Sequence, residues 1–513
     1  MKAAAVLFIL VLLSSGLRSQ IERFDESQFL EAKEAIEVGD FLAGYEMLRP
    51  LCERNPNWAE AHYACGICAW EIPKYMSTAR SYIEKAVNLG FAKAHLKYAQ
   101  ILLTLGDPYQ ALVYAGKVED RSDSNKVTRA LIERQCLNAI KAMEMAGPMQ
   151  VTRMGESINS IYAEHTPLIS GDESVLYFTS RRPMNESSVL GFSGQYDENI
   201  YYSRSLAPNW DVAQPINGSV NGLLNEATAA IGFDAREMLV FRTSHDLESS
   251  DIWLAVEHEN KWKWKSRLGK SINSDFIEQS ATWTSDKNVF YFSSNRPGGY
   301  GGFDLYRTVQ FANGEFSLPQ NLGPSINTEF DEISPYLLAD DRTLYFSSNG
   351  LKSIGGFDFF RSNRIGDTLW SEPENLGYPL NSTGDDYQIT VSWQGGDVYF
   401  SRGKEEDIGD LDIYKSRLPG FNLSANVYKM VIADYMPEIE YEITLWSEDF
   451  SETLGYFYPN DRGEFIVVMM PSEVALLEVL APDFQTVEIP LNYIPGEGVQ
   501  EFSETIYLKE TGQ

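Results

Sequence analysis

Short runs in which apolar and polar residues alternate fill the middle of the chain and recur with a period of about 54 residues. In each copy an acidic residue opens one run. An aromatic residue followed by small polar residues comes about fourteen positions later, and a polar residue followed by two large apolar residues closes the copy. Alternation with a period of two predicts strands, and several short strands separated by Gly, Asn and Pro turns predict one blade of a β-propeller. The acids are Glu164, Glu226, Glu278, Glu332 and Asp386.

Five copies of each element predict five blades. A motif ending in Ile-Asn or Leu-Asn recurs between the copies, at 268–273, 322–327 and 376–381 and, more weakly, up to Asn217. One further copy, at 154–159, precedes the first blade, which is explained if the strand near 150–153 pairs with the last blade. That pairing would leave no open sheet edge. We therefore expect a five-bladed β-propeller over residues 148–417, closed by the strand near 150–153.

Apolar residues recur at helical spacing between residues 20 and 147. Ala61-His62 and Ala94-His95 align at a spacing of about 33 residues, and such a period resembles that of tetratricopeptide repeats. The pattern predicts an α-solenoid over 20–147 whose concave surface could bind a partner. A spacer that packs on the propeller is the alternative.

Alternation continues over residues 420–513 without the long period. The clearest predicted strands are 440–446, 464–470 and 476–480, and the first two are separated by a turn at 460–463. This segment predicts a small β-sandwich and resembles the carboxypeptidase-regulatory-like domain, an accessory fold. The expected fold class is therefore multidomain: an α-solenoid, a five-bladed β-propeller and a small β-sandwich.

Residues 1–19 have the pattern of a signal peptide, with Lys2, an apolar run over 3–13 and small residues before a cleavage point after Ser19. The apolar run is too short to span a bilayer as a mature helix, and no later segment is apolar enough to do so. We expect an exported protein with no direct membrane span. An uncleaved anchor is the alternative.

The formal net charge of the 513-residue chain is −31 at pH 7. This charge argues against nucleic acid and anionic lipid as partners, because phosphates would be repelled. It favours cations or cationic partners, although a merely well-solvated surface explains it equally.

The five acids of the repeat are the candidate binding site. If they open the innermost strands, they could form a ring of carboxylates at one end of the central channel, where they would repel one another unless solvated, protonated or bound to a cation. Calcium is the cofactor that such a ring would suit. The favoured interpretation, however, is that each acid caps a neighbouring loop through backbone N–H groups, so no cofactor is expected.

The four cysteines are Cys52, Cys65, Cys68 and Cys136, all in the helical segment. Cys65 and Cys68 form a C-x-x-C pair, but no second pair or histidine cluster completes a zinc site, so no metal centre is expected. Two interpretations stay open: small buried thiols that pack between helices, or a disulfide from Cys52 to Cys65 or Cys68, which export would permit.

Catalytic signatures are missing from the sequence. The five histidines lie on separate predicted elements, and no nucleophile elbow, metal-ligand spacing or phosphate-binding loop appears. We therefore expect no enzymatic activity.

The glycine-rich run at 292–306, Phe-Ser-Ser-Asn-Arg-Pro-Gly-Gly-Tyr-Gly-Gly-Phe-Asp-Leu-Tyr, resembles the WD40-like repeat known as PD40. Residues 355–358 repeat its second half, and 332–335 and 164–167 match its start. The first two blades depart from the repeat, through Arg242 and an insertion near 184–195.

The order of tetratricopeptide repeats, PD40 blades and a regulatory-like sandwich resembles PorE-type periplasmic proteins of the type IX secretion system. The resemblance implies a non-catalytic periplasmic scaffold, associated with the outer membrane, that binds outer-membrane or type IX components through its repeat and propeller surfaces and peptidoglycan at most indirectly. Such proteins usually add an OmpA-like domain, which does not follow here. The alternatives are a peptidoglycan- or glycan-binding envelope protein and, less favoured, an exported hydrolase.

Overall fold

The computed structural model describes residues 23–72, 75–118, 123–185, 188, 190, 195–206, 209–222, 224–232, 235–243, 250–311, 313–350, 352–366, 368–392, 396–403, 411–418, 425–439, 441–448, 450, 453–457, 459, 462–469, 474–495 and 499–511. The predicted leader at 1–19 lies outside the described residues. The chain divides into two compact units: the first comprises 1–140 with 185–196 and 404–410, and the second comprises the remainder. Among the described residues no helix is both long enough and apolar enough to cross a membrane.

The first unit is helical. Its elements are α1 (23–37), α2 (Phe41–Arg54), α3 (Ala59–Glu71), α4 (Met76–Asn88), α5 (Ala94–Thr104), α6 (Pro108–Ala115) and most of α7 (Asp123–Glu144). Asp40 and Asp107 start α2 and α6, because each carboxylate accepts a backbone N–H in the first turn. Gly66 lets α3 approach α4, since a Cβ there would meet the side chain of Ile83 at 2.6 Å.

The expected fold class is wrong in placing a tetratricopeptide α-solenoid at the head of the protein. Strands make up most of the regular structure of the described residues, in small sheets, and only seven helices are described. The expectation rested on two aligned copies, at 61–62 and 94–95. These are the first turns of α3 and α5, and two copies do not establish a stacked array, which needs at least three repeats.

Five sheets of at least four strands follow in the second unit. They are β2 (Glu164–Ile169), β3 (Val175–Ser180), β4 (Asn199–Leu206), β5 (Asn209–Trp210) and β6 (Gln214–Pro215); β7 (Glu226–Ile231), β8 (Glu237–Thr243), β9 (Ser250–His258) and β10 (Lys261–Arg267); β11 (Glu278–Trp283), β12 (Val289–Ser294), β13 (Asp304–Val309) and β14 (Gln320–Asn321); β15 (Glu332–Leu337), β16 (Thr343–Ser348), β17 (Asp358–Asn363) and β18 (Glu374–Asn375); and β19 (Asp386–Val391), β20 (Asp397–Gly403), β21 (Leu411–Arg417) and β1 (Thr152–Arg153).

The first strands of the five sheets, β2, β7, β11, β15 and β19, contact one another in cyclic order, so the sheets form a closed five-bladed β-propeller. The fifth sheet takes its outermost strand from the start of the ring, with Thr152 opposite Lys415 and Arg153 opposite Tyr414. Arg153 Nε also donates to Asp412 Oδ2 at 2.6 Å.

Asparagines tie each blade to the next. Asn327 is buried before the fourth blade, and its side chain bonds both the N–H and the C=O of Leu305 in the third. Asn159, Asn273 and Asn381 make the same pair of bonds. Before the second blade this role belongs to Asn221, which bonds Ile200, and not to the Asn217 that the sequence motif selected.

Two further sheets end the chain. One contains β25 (Glu464–Met469), β22 (Ala425–Ile432) and β28 (Val499–Ile506), and the other contains β24 (Thr453–Phe457), β23 (Glu442–Ser447), β26 (Val474–Leu480) and β27 (Val487–Asn492), each in spatial order. A shared apolar core, including Met430, Val467 and Leu477, lies between them. This is the two-layer packing of a β-sandwich.

Candidate functional site

The five acids of the repeat each begin the first strand of a blade, and all five are fully buried. Every carboxylate accepts a hydrogen bond from the backbone N–H four residues earlier. The donors are Ser160 (2.6 Å), Gly222 (2.9 Å), Ser274 (2.9 Å), Thr328 (2.8 Å) and Ser382 (2.6 Å). The acids therefore hold the loops that precede their own strands.

An arginine sixteen or eighteen residues later also binds the acid in four blades, at 2.5 to 3.2 Å. These arginines are Arg182, Arg242, Arg296 and Arg402. Each guanidinium lies over two aromatic rings; that of Arg296 is 4.9 Å from the centre of Phe292 and 5.2 Å from that of Tyr306. We call each acid with its arginine and the aromatic pair beneath it a blade latch.

The fourth blade departs from this pattern, because Gly350 replaces the arginine. Glu332 retains bonds from Thr328 and Ser348, and Phe346 stacks on Phe360 without a guanidinium at the position of Arg296. Burial raises the pKa of Glu332, and it raises the pKa of Glu226 to about 7 despite Arg242.

These contacts give the five acids a structural role, because each acid binds groups of its own blade. Within the described residues no group of three or more His, Cys, Asp or Glu side chains could hold a metal ion. Binding of calcium or of a cationic partner by the five acids stays a prediction.

All four cysteines are buried as free thiols. Burial raises the pKa of Cys68 to about 12 and that of Cys136 to about 12, while contact with the Cys52 thiol, followed by burial, raises the pKa of Cys65. The thiols are packed between helices in this state, and a disulfide from Cys52 to Cys65 or Cys68 stays a prediction.

A cavity of about 660 Å³ lies between the propeller and strand β25 of the C-terminal sandwich. We call it the main cleft. The far ends of the first strands contribute Ile231 and Trp283, the hairpin turns contribute Lys287 and Asp341, and Phe465 faces them from β25. Its volume is in the range of small-molecule binding sites.

Glu237 is the centre of a charged network in the main cleft. It accepts hydrogen bonds from Lys287 Nζ at 2.5 Å and Lys265 Nζ at 3.2 Å. Burial alone would raise the pKa of Glu237, but the two lysines outweigh it and lower this pKa to about 2. Glu237 is therefore ionised at neutral pH and presents a carboxylate to the cleft.

The pKa of Asp341 is shifted in the opposite direction to that of Glu237. Its carboxyl oxygens accept from the backbone N–H of Ser285 at 2.8 Å and from Ser285 Oγ at 2.6 Å. Burial, and after it the charge of Asp286, raises the pKa of Asp341 to about 8. Asp341 is therefore mostly protonated at pH 7, in contrast to Glu237.

Aromatic side chains supply the apolar part of the lining. Trp283 packs edge-on against Phe290, with ring centres 5.9 Å apart, and Lys287 Nζ lies 5.7 Å from the Trp283 ring. Tyr336 is anchored by its hydroxyl, which donates to the carbonyl of Val391 at 3.0 Å. Phe311 is half exposed at the rim.

Sequence reasoning missed these residues. Lys287 and Asp341 occupy the same turn position in neighbouring blades, 54 residues apart, and both adopt a positive φ, 59° and 51°. Non-glycine residues with positive φ are uncommon and mark special turns. The shared turn position could have been found from the 54-residue repeat. The cleft itself could not, because its second wall is strand β25, which lies outside the repeat.

Glu237→Gln should weaken the dependence of the free energy of unfolding on pH below about pH 4.5. Because the folded pKa of about 2 lies below the ordinary value of 4.5, ionised Glu237 stabilises the fold above about pH 4.5, and this contribution is lost as the pH falls toward 2. We expect a loss on the order of 2 kcal/mol at pH 7 that shrinks to near zero by pH 2. Urea unfolding at several pH values measures it, with the exposed Glu374→Gln as control. A profile parallel to that of the unmodified protein would contradict the assignment.

No family model matches the chain, and no curated protein matches it. Among solved structures it is similar to a sucrose-6-phosphate hydrolase from Lactobacillus gasseri, with 9% identity over 73% of this chain and 94% of the other and a TM-score of 0.37. It is also similar to a GH43 β-xylosidase/α-arabinofuranosidase from a compost metagenome, with 9% identity over 52% of this chain and 94% of the other and a TM-score of 0.34. For an α-L-arabinanase from Penicillium chrysogenum, the identity is 13% over 63% of this chain and 99% of the other, and the TM-score is 0.31.

These findings contradict several expectations from the sequence. The structures reported above are hydrolases by their titles and not PD40, tetratricopeptide or PorE-type proteins, so the expected assignment to that family, the non-catalytic type IX scaffold and the expectation of no enzymatic activity are not upheld. At these identities and TM-scores, the matches do not assign an activity to this chain.

The glycine-rich run explains why the resemblance misled. Tyr300 and Gly301 donate backbone N–H groups to Asp304, and a Cβ on Gly301 would collide with the carbonyl oxygen of Phe330. The glycines are therefore required by close packing between neighbouring blades. Such packing is a property of the propeller and does not identify a family or a function.

Proposed function

We propose that the main cleft binds a saccharide. The observation that carries the proposal is a cavity of about 660 Å³ in which aromatic rings and fixed charged groups face the same space. The structures named above act on saccharides by their titles, but the proposal rests on the cleft and not on them.

The chemistry of the lining matches that of a sugar ring. A pyranose or furanose has an apolar C–H face that packs on aromatic side chains, and Trp283 and Phe311 provide such surfaces. Its hydroxyls both donate and accept hydrogen bonds. Glu237 accepts, the ammonium groups of Lys265 and Lys287 donate, and a protonated Asp341 has a proton to donate.

The charge arrangement disfavours an anionic ligand. Lys265 and Lys287 already bind the carboxylate of Glu237, so these two cations are neutralised within the lining. A phosphate or a carboxylate ligand would have to displace this carboxylate. A neutral polyhydroxylated ligand can instead add hydrogen bonds to a network that is already paired.

The test is a calorimetric titration of the full chain with arabinobiose, xylotriose, cellobiose and chitobiose. We expect at least one to bind, and Lys287→Ala to weaken that binding about tenfold, since it removes a charged hydrogen bond worth about 1.5 kcal/mol. Phe311→Ala at the rim should weaken it less.

The matched control is Lys352→Ala. This lysine forms an exposed ion pair with Glu372 and does not line the cleft, so the variant should bind like the unmodified protein. No binding by any of the four sugars, or equal losses in both lysine variants, would overturn the proposal. Following the mixtures for new reducing ends would show whether the bound sugar is also cleaved.

We also propose, from the leader pattern at 1–19, that the chain is exported. An exported protein would meet polysaccharides outside the cytoplasm, which agrees with a saccharide ligand. Its position in the envelope stays a prediction.

A further inference from the structure

A second cavity, of about 590 Å³, adjoins the main cleft. We call it the side chamber. The two spaces share Arg236, Glu257, Glu464, Phe465 and Ile466 in their linings. They are therefore separated only by this shared wall, and both lie between the propeller and the C-terminal sandwich.

The shared wall contains an ion pair that joins the propeller to the C-terminal sandwich. Arg236 follows the first strand of the second blade, Glu464 begins β25, and Arg236 Nη1 donates to Glu464 Oε2 at 2.6 Å. About a third of each side chain is accessible to solvent, 32% and 35%. Partly exposed ion pairs are weak, so a ligand that supplies its own hydrogen bonds can pass beside this pair or displace it.

The side chamber repeats the chemistry of the main cleft. Tyr177 and Tyr202 provide aromatic surface from the first blade, and the guanidinium carbon of Arg204 lies 5.7 Å from the centre of the Tyr202 ring. On the sandwich side, Lys429 Nζ donates to Glu501 at 2.7 Å. Aromatic faces and charged groups of both signs thus continue from one space into the next.

We propose that the main cleft and the side chamber are consecutive parts of one groove that holds an oligosaccharide chain, with the Arg236–Glu464 pair at the crossing. This proposal rests on saccharide binding in the main cleft and extends it to the length of the ligand. A short sugar fills the main cleft alone, and a longer chain gains contacts in the side chamber.

The experiment compares arabino-, xylo-, cello- and chito-oligosaccharides of two to six units by calorimetry on the full chain. We expect the affinity to rise about tenfold or more between the shortest and the longest sugar of the series that binds. Arg204→Ala should remove most of this gain while changing the affinity for the disaccharide less than about twofold. Lys429→Ala, on the opposite wall, should act in the same direction.

Arg361→Ala is the matched control. Arg361 binds Glu374 at 2.8 Å on the fourth blade and lines neither cavity, so its loss should leave the length dependence intact. Melting temperatures identify any variant that fails to fold. If Arg204→Ala fails to fold, Lys429→Ala tests the side chamber in its place.

Three negative results are distinguishable. Binding of a disaccharide with no further gain in affinity up to six units overturns the groove and leaves the saccharide site standing. A length gain that survives both Arg204→Ala and Lys429→Ala also overturns it. Absence of binding at every length overturns saccharide binding itself and the groove with it.

Discussion

Replacing Asn327 with alanine should lower the free energy of unfolding by about 3 kcal/mol. Its amide oxygen accepts the N–H of Leu305 at 2.8 Å, and its amide nitrogen donates to the carbonyl of Leu305 at 2.9 Å and to Asn321 Oδ1 at 2.8 Å. The residue is only 1% exposed, so the truncation leaves the N–H of Leu305 buried without this partner, while the Leu305 carbonyl keeps its bond from the N–H of Leu322. Each unsatisfied buried group costs about 1–3 kcal/mol.

Denaturant unfolding of the full chain, followed by tryptophan fluorescence, measures this effect. Asn313→Ala is the matched control, because Asn313 is exposed and bonds only its near neighbour Glu315. The control should change the free energy by less than about 0.5 kcal/mol. Similar small losses in both variants would show that the asparagine does not tie the blades together.

Arg296→Ala should cost about 3–5 kcal/mol, because it removes the cation from a blade latch and leaves the buried carboxylate of Glu278 unpaired. The guanidinium donates to Glu278 at 3.0 Å and to the carbonyls of Ser271 and Ile272 at 3.0 and 2.6 Å, and it also covers the Phe292 ring. Arg361→Ala removes a partly exposed pair and should cost at most about 1 kcal/mol.

Urea unfolding at pH 7 measures both effects. A loss in Arg296→Ala no larger than that in Arg361→Ala would show that the guanidinium does not stabilise the blade latch.

The 54-residue repeat predicted much of the propeller because each of its elements has a fixed structural task. Each acid begins a first strand, as Glu278 begins β11 and Glu332 begins β15, since a buried carboxylate is needed there to bind the preceding loop. The motif containing Asn327 marks the tie between blades. The weaker copy of the motif ends at Asn217, but Asn221 makes the corresponding bonds to Ile200 after a longer segment, which a fixed spacing does not find.

The main cleft could not be predicted in the same way. Its walls join hairpin turns of separate blades to a strand far along the chain, and Arg236 and Glu464 are 228 residues apart. Nothing in the local pattern near either residue indicates the other. The prediction of an α-solenoid over 20–147 failed for a different reason. The copies at Ala61 and Ala94 agree in spacing, but spacing alone does not determine how the helices stack.

The strand at Thr152–Arg153 has a consequence for synthesis. Arg153 and its partner Asp412 are 259 residues apart, so the ribosome completes one partner long before the other exists. At about 5–20 residues per second, the interval is roughly 10–50 s. During it, four blades can pair internally, but the last sheet must wait for both of its ends. Until Asp412 is available the chain carries an unclosed ring with exposed strand edges, which a chaperone can shield from pairing with other chains.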